Sequence, residues 1–453
     1  MLPVAQPRQV LKQSRTPLGL TAALSALVAM VGTLYLLAIL NAVPPHPDLD
    51  VYLRGARDLA AGRPLYNPYL SAGGDPALRY GFIYPPLFAM LLWPLSLLPS
   101  AIIPVAWLVA THVALAATFV VVMRSVRATR PVVLLAAAVT LAFYPFWVDS
   151  AQAQANLPIL MLVTLGIIGV SADRPRAALW IGFAAALKLT PALLILWLLW
   201  ERRFRAAVWM MAGAIGVTAV AALLRTADSL TYARNVLPTL AGGTAYWSNQ
   251  SIAGVAARLF TQNPYTRPLL NLPWEQALLV AFVLGAVGYW VIMVAGRNPA
   301  LPHERVRESQ RERGFSFLPL LPLLSAVSWE HHLVILLPLV WVLLESLCRR
   351  GWPQPQTAVF ALALLCLAVI PRLPIGPPYA TEFARAAHTS NPLLIAAANR
   401  LFIGTLILFA ASPWLLGLPR QSSAAIGVAS RWLPSRLRLG TDPSLPSGDN
   451  SKS

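Results

Sequence analysis

Two carboxylates one residue apart, Asp48 and Asp50, stand in the stretch PHPDLDVYLRGARDLAAGRPLY, directly after a long apolar run. Such a pair can supply a general base or part of a DxD-like metal site. It can equally be local, with Asp48 capping a helix and Asp50 favoured in its first turn by the helix dipole. Partners decide between the two. Lys188 lies eleven residues into the uncharged stretch ALWIGFAAALKLTPALLILWLLW. An ammonium at that depth costs roughly 2.5 to 3.5 kcal/mol unless it faces water or an anion. That marks Lys188 as a functional candidate, with snorkelling to an interface as the alternative.

Further polar groups punctuate the apolar runs. SWEHH places Trp329, Glu330, His331 and His332 at a membrane edge. Adjacent His residues on a helix point about 100° apart, so they lack the i, i+4 spacing of zinc hydrolases, but either can donate a hydrogen bond to a phosphate. YWSNQSIAG, with Trp247, Asn249 and Gln250, is followed by Arg258 and offers rings and amides of the kind that stack on and bond to sugars. AQAQANLP brings Gln154 and Asn156 to the end of another apolar run, where helix capping is the simpler role. YGFIYPPLF closes the first loop with Tyr84 and two prolines that stiffen it.

The elements that must position these groups are membrane helices. With 57% hydrophobic and 11% charged residues over 453 positions, the chain is too apolar for an ordinary globular enzyme. Its long uncharged runs suit helices, whereas an open sheet leaves backbone groups unsatisfied in lipid. The net charge of +18 sits in short Arg clusters between apolar runs and reads as a topology signal rather than a nucleic-acid surface. Only Cys348 and Cys366 are present, so no disulfide framework is implied.

Positive-inside counting places ERRFR at Glu201, GRNPALPHERVRESQRERG from Gly296 and CRRG at Cys348 on the cytoplasmic side, together with Arg8, Lys12 and Arg15 of residues 1–17. Leu18 to Val43 is expected to be a retained first helix. Apolar runs from Ala206 to Leu224, Gln276 to Ala295, Phe315 to Val327, Leu333 to Leu344, Thr357 to Ile370 and Leu393 to Leu416 are expected to cross. If RSVRATR and DRPR also stay inside, Ala177 to Trp200 must enter and return, broken at Lys188 and Pro191. Twelve crossings, or ten with re-entrant segments, both fit. The chain thus divides into an N-terminal module over 18–224 with a first external loop at 44–84, an external loop at 225–275, a C-terminal module over 276–418, and a disordered cytoplasmic tail at 419–453 rich in Ser, Pro and Arg. The segment DLDVYLRGARDLAAG reads as a short helix whose face of Leu49, Tyr52, Leu53, Ala56, Leu59 and Ala60 can lie on the membrane surface.

Taken in order, DLDVYLRGARDLAAGRPLY, YPPLFAMLLWPLSLLP, QANLPILML, GFAAALKLTPALLIL, SNQSIAG and SAVSWEHH resemble the bacterial polyprenol-phosphate-mannose-dependent mannosyltransferases, which are C-fold (GT-C) membrane glycosyltransferases. The resemblance implies an all-α polytopic fold in the cell membrane and transfer of a hexose, mannose in that family, from a polyprenyl-phosphate donor to a lipid or glycan acceptor at the external face. An acid of the first external loop then serves as base, with Asp48 preferred and Asp50 in reserve. Lys188, Arg258, His331 and His332 would meet the leaving phosphate without a metal ion, so no cofactor is expected. Tyr52, Tyr84, Gln154, Asn156, Trp247, Asn249, Gln250, Trp329 and Glu330 would contact substrate. The same scaffold can use another polyprenyl-phosphate sugar, arabinofuranose or glucose, and a transporter or flippase of polyprenyl-linked substrates is the rival from another class. A Gly common before the Gln in the family is Ala153 here.

Overall fold

A computed structural model describes residues 18–41, 46–75, 78–271, 303–369 and 392–417. The expected crossing at Gln276 to Ala295, the Pro-rich segment after Pro371 and the tail from 419 lie outside these residues. Among the described residues the regular structure is helical, and an isolated bridge joins Phe143 to Ala368. This follows from composition: uncharged runs of Leu, Ala and Val satisfy every backbone group within one segment only as helices. Among the described residues, four helical segments are long and apolar enough to cross a bilayer: Gly19–Ile39, Ile103–Val126, Phe204–Leu224 and Glu330–Arg349. They differ in place. The last is 89% buried by the chain itself and forms the centre of the bundle, whereas the first is 6% buried and presents most of its surface outward. Shorter apolar helices at Arg130–Leu141, Asn156–Ser171, Gln354–Leu367 and Arg400–Leu416 complete the packing.

The charged loops gather at one end of this bundle. Arg203 bonds Asp173 and also Gln310, and Arg311 donates to the carbonyl of Ser125. Arg313 pairs with Glu201 at 2.5 Å, and Arg349 with Glu345 at 2.8 Å and Glu312 at 3.2 Å. The basic clusters after Arg124, after Asp173, after Glu201 and at Cys348 therefore share one end with the charged helix His303–Ser316. That helix revises the expectation of a loop there, because its last eight residues are buried, with Glu312 and Arg313 held in these ion pairs and Arg311 on the Ser125 carbonyl.

One consequence concerns Lys188. The segment between Asp173 and Arg203 begins and ends at the same place, so it runs in and folds back. Helix Ala178–Leu187 is ten residues long, about 15 Å, roughly half a hydrocarbon core. It stops where Lys188 turns extended, at φ −149° and ψ 115°, and a 3-10 turn over Thr190–Leu194 leads into Ile195–Trp200. Pro191, lacking an N–H, fits the start of that turn. The ingoing helix packs closely on its neighbours through small residues. A Cβ at Gly182 would stand 2.1 Å from the carbonyl oxygen of Met210, so only Gly allows this approach to helix Phe204–Leu224.

The helix after the first crossing spans Pro47–Ala60, with Pro at its first turn and His46 as its N-cap. Asp48 is thus inside the first turn and does not cap. Leu49, Val51, Tyr52, Leu53, Gly55 and Ala56 are buried, while Ala60 is exposed. This face packs on protein rather than on a membrane surface: Phe82 fills the space beside Gly55, and the rings of Phe88 and Tyr84 stand edge-on to Tyr52 at 4.9 and 5.1 Å.

Candidate active site

A cavity of about 620 Å³ opens at the end of the bundle opposite the ion pairs. Separate pieces of chain meet there, among them the Pro47–Ala60 helix, the turn Gln152–Asn156, the break at Lys188, and the 3-10 turn Glu330–Leu336. Local bonds tie them together. His46 Nδ1 donates to the carbonyl of Ala151 at 2.8 Å, and Trp107 Nε1 to that of Ala153 at 2.7 Å. Ala153 has φ +53°, the left-handed geometry for which Gly is the usual residue, and this turns Gln154 inward.

Asp48 lines the cavity and accepts a hydrogen bond from Gln154 Nε2 at 2.5 Å. The Gln154 Oε1 accepts from Tyr52 at 2.7 Å, and the Tyr52 and Tyr84 hydroxyls lie 3.0 Å apart. Burial pushes the Asp48 carboxyl up to about 6, against the pull of the Gln154 bond and of Lys188. This is a range suited to a general base near neutrality. Asp50, two residues on, does not line the cavity. It is held by Arg54 at 2.9 Å and by the Tyr80 hydroxyl at 2.7 Å at the exposed side of its helix.

Lys188 lines the same cavity. Its Nζ donates to Asn156 Oδ1 at 2.6 Å, and Asn156 Nδ2 donates to Asp149 Oδ1 at 2.8 Å. Asn156 itself sits in a small recess of about 20 Å³ beneath Lys188, lined also by Ser328 and His332. Asp149, 1% exposed, is a site residue that the sequence reading missed. Its signal was present, since it is the one charged residue between Arg130 and Asp173.

His331 and His332 both face the cavity, their rings 4.7 Å apart and crossed at 78°. The backbone N–H of Trp329 donates to His332 Nδ1 at 3.2 Å, which assigns the ring proton to Nε2 as a donor. Glu330 accepts from Tyr144 at 3.2 Å. Trp247 and Trp329 form an aromatic wall with Tyr246, whose ring stands edge-on to Trp329 at 6.0 Å. Tyr52, Tyr84, Gln154 and Glu330 line the cavity as well.

Besides Asp50 and Asn156, three further expected residues do not. The guanidinium of Arg258 is buried and spent on the carbonyls of Tyr246 and Asn249, at 2.7 and 2.8 Å, and on Asn399 Oδ1 at 2.7 Å. Asn249 donates to the carbonyls of Thr244 and Ala326, and accepts from Ser328 N. Gln250 accepts from the N–H of Phe402 at 2.9 Å. These side chains hold the loop that carries Trp247 against the SWEHH turn and do not line this cavity. Asn249-Gln250-Ser251 has the N-x-S spelling of a glycosylation acceptor, yet the Asn249 amide is fully buried and committed to those carbonyls. Among the described residues, no group of three or more His, Cys, Asp or Glu side chains is arranged to hold a metal ion.

The arrangement gathers the Asp48 carboxyl, the Lys188 amine and the two imidazoles around one cavity walled in part by aromatic rings. Residues 82–306 match the family model "Glycosyltransferase family 87". A polyprenol-phosphate-mannose-dependent alpha-(1-2)-phosphatidylinositol mannoside mannosyltransferase of Mycobacterium tuberculosis is 29% identical over 350 residues, covering 73% of this chain and 77% of that protein. A pentamannoside mannosyltransferase of the same description from Mycobacterium tuberculosis is 26% identical over 369 residues, 79% of this chain and 78% of its own length. Its counterpart in Mycolicibacterium smegmatis is 27% identical over 366 residues, 79% and 82% respectively. No solved structure matches the chain.

Proposed function

We propose, from the match of residues 82–306 to glycosyltransferase family 87 and from the mannosyltransferase relatives, that the chain is a membrane glycosyltransferase that moves mannose from a polyprenyl-phosphate donor to a hydroxyl of a lipid-anchored mannoside or glycan. One observation carries this: Asp48 and Lys188, from two distant segments of chain, line a single cavity. The base accepts the acceptor's hydroxyl proton while that oxygen forms a bond to the sugar C1. The C1–O bond to phosphate breaks, and its electron pair leaves on polyprenyl phosphate. Negative charge grows on one phosphate, where the Lys188 ammonium, His332 Nε2–H and His331 can meet it. A metal ion is not required for so small an added charge. Arg258 has no part in this step. Aromatic rings of Trp247, Trp329 and Tyr84 suit the faces of the transferred and accepting sugars.

The bundle end rich in Arg is proposed to face the cytoplasm, by the positive-inside rule, with both termini on that side and the cavity at the external leaflet of the cell membrane. The lipid donor then presents its anomeric carbon at the surface where Asp48 stands. Purified protein in vesicles, given radiolabelled polyprenyl-phosphate mannose and a membrane lipid extract, is expected to yield a labelled glycolipid. Polyprenyl-phosphate arabinofuranose or glucose, tried in parallel, should be poor donors. Label that crosses the bilayer without a new product would replace the enzyme with a flippase.

A further inference from the structure

The bonded series Lys188, Asn156, Asp149 ends on a carboxylate that has no role in the displacement described above. Asp149 is buried and does not line the cavity, so it cannot touch a substrate. Its geometry nonetheless has a directional effect. A primary amide has one end that only donates and one that only accepts. An ionised carboxylate accepts only, so Asp149 in that form obliges Asn156 to turn Nδ2 toward it, and the Nδ2 stands at 2.8 Å. The Oδ1 must then point the other way, where it can bind only a donor, and there the Lys188 Nζ sits at 2.6 Å. Asn156 is further fixed by the carbonyl of His331 at 3.4 Å, which accepts from the same Nδ2.

We propose that Asp149 is a positioning residue that, by fixing the orientation of the Asn156 amide, aims the Lys188 ammonium at the phosphate of the lipid donor. The proposal rests on the reading that Lys188 meets that phosphate. Three features support a built device rather than chance burial. The acid lies at the end of helix Tyr144–Ala151, the amide at the start of Asn156–Ser171, and the lysine at the break of the folded-back segment, so three elements converge for one contact. A carboxylate separated from an ammonium by one amide also supplies the countercharge that a low-dielectric setting demands. Finally, a Lys stem carries its charge on four flexible carbons, and without a fixed acceptor its head has no defined place.

The test is a double-mutant cycle on binding of polyprenyl phosphate, read by quenching of tryptophan fluorescence from the Trp247 and Trp329 wall. In Asp149→Asn the new amide can offer its NH₂ to Asn156 and turn that residue's NH₂ toward Lys188. Binding is expected to weaken about tenfold in D149N and about tenfold in K188A, with the double variant no weaker than K188A alone. Equal additional loss from D149N in both backgrounds would overturn the proposal and make Asp149 a structural residue. Should D149N not fold, Asn156→Leu breaks the series at its middle and runs through the same cycle with the same two outcomes. If K188A binds as tightly as the parent, the reading of Lys188 fails first, and the proposal with it.

Discussion

At the scale of single residues, two acids that the sequence leaves equivalent are separated by their neighbours. Asp48 has Gln154 and an open cavity, while Asp50 has Arg54 and Tyr80. Nothing in the spelling DLD reveals this, because it depends on which face of the helix meets the Gln152–Asn156 turn. Asp48→Asn is expected to lower transfer by at least about a thousandfold, since a base whose absence leaves proton removal to water forfeits factors of this order; Asp50→Asn should stay within a fewfold of the parent. The D48N protein should also be no less stable. An Asp held at about 6 in the fold and near 3.8 when unfolded binds more protons folded than unfolded between those values. Its contribution to stability is therefore present at low pH and is lost as pH rises through about 6. Above that, the ionised form carries a penalty on the order of 3 kcal/mol that Asn avoids. Thermal unfolding in detergent at pH 7.5 checks this, and a large drop would mean that Asp48 is structural. The same carboxyl sets an acid limb: transfer should rise with pH through about 6. Because the Gln154 bond favours the ionised form, Gln154→Leu should move that limb to higher pH, and an unmoved limb would take Asp48 out of the rate-determining ionisation.

At the scale of elements, the turn at Gln152–Asn156 shows what spacing can and cannot convey. Gln154 and Asn156 were legible as polar groups at membrane depth, and both lie at the candidate site. That one amide bonds Asp48 and the other Lys188 follows only from the left-handed residue between the two helices. That residue is Ala153, at φ +53°. Holding a non-glycine residue there costs about 1 to 2 kcal/mol, partly offset by the smaller entropy that Ala loses on folding. Ala153→Gly is expected to be neutral or up to about 1 kcal/mol more stable, with transfer unchanged; a loss of activity would show that the Ala methyl itself sets the placement of Gln154. The loop from Tyr246 illustrates the opposite error. Arg258, Asn249 and Gln250 have the side chains of a sugar or phosphate site, yet they bond the carbonyls and amides of their own loop and of Asn399 and Phe402. Those partners lie about 140 residues away in sequence, where no local pattern reaches.

For the whole molecule, the hydropathy profile made the all-helical membrane fold legible and the Arg clusters made its two ends legible. The packing that places Lys188 was expected only as one of two schemes, because a folded-back segment of 178–200 and a full crossing share the same apolar run. What distinguishes them is long-range: the run's two ends are joined by Asp173 with Arg203, and Glu201 ties the returning end to Arg313 of helix His303–Ser316. The Glu201 and Arg313 side chains are 2% and 7% exposed, with a spacing of 2.5 Å. Removing one member strands the other as a buried charge, which costs about 3 to 5 kcal/mol, whereas replacing both with apolar residues is often neutral. Glu201→Ala is therefore expected to lower thermal stability by that order, and the pair Glu201→Leu with Arg313→Met to restore it. If the pair also anchors the returning limb of the segment, polyprenyl phosphate binding should weaken in E201A and recover in the double variant, because the Lys188 turn is the far end of the same lever. Recovery of stability without recovery of binding would confine the pair to the Arg-rich end and leave the position of Lys188 to the close packing of Gly182 on Met210 alone.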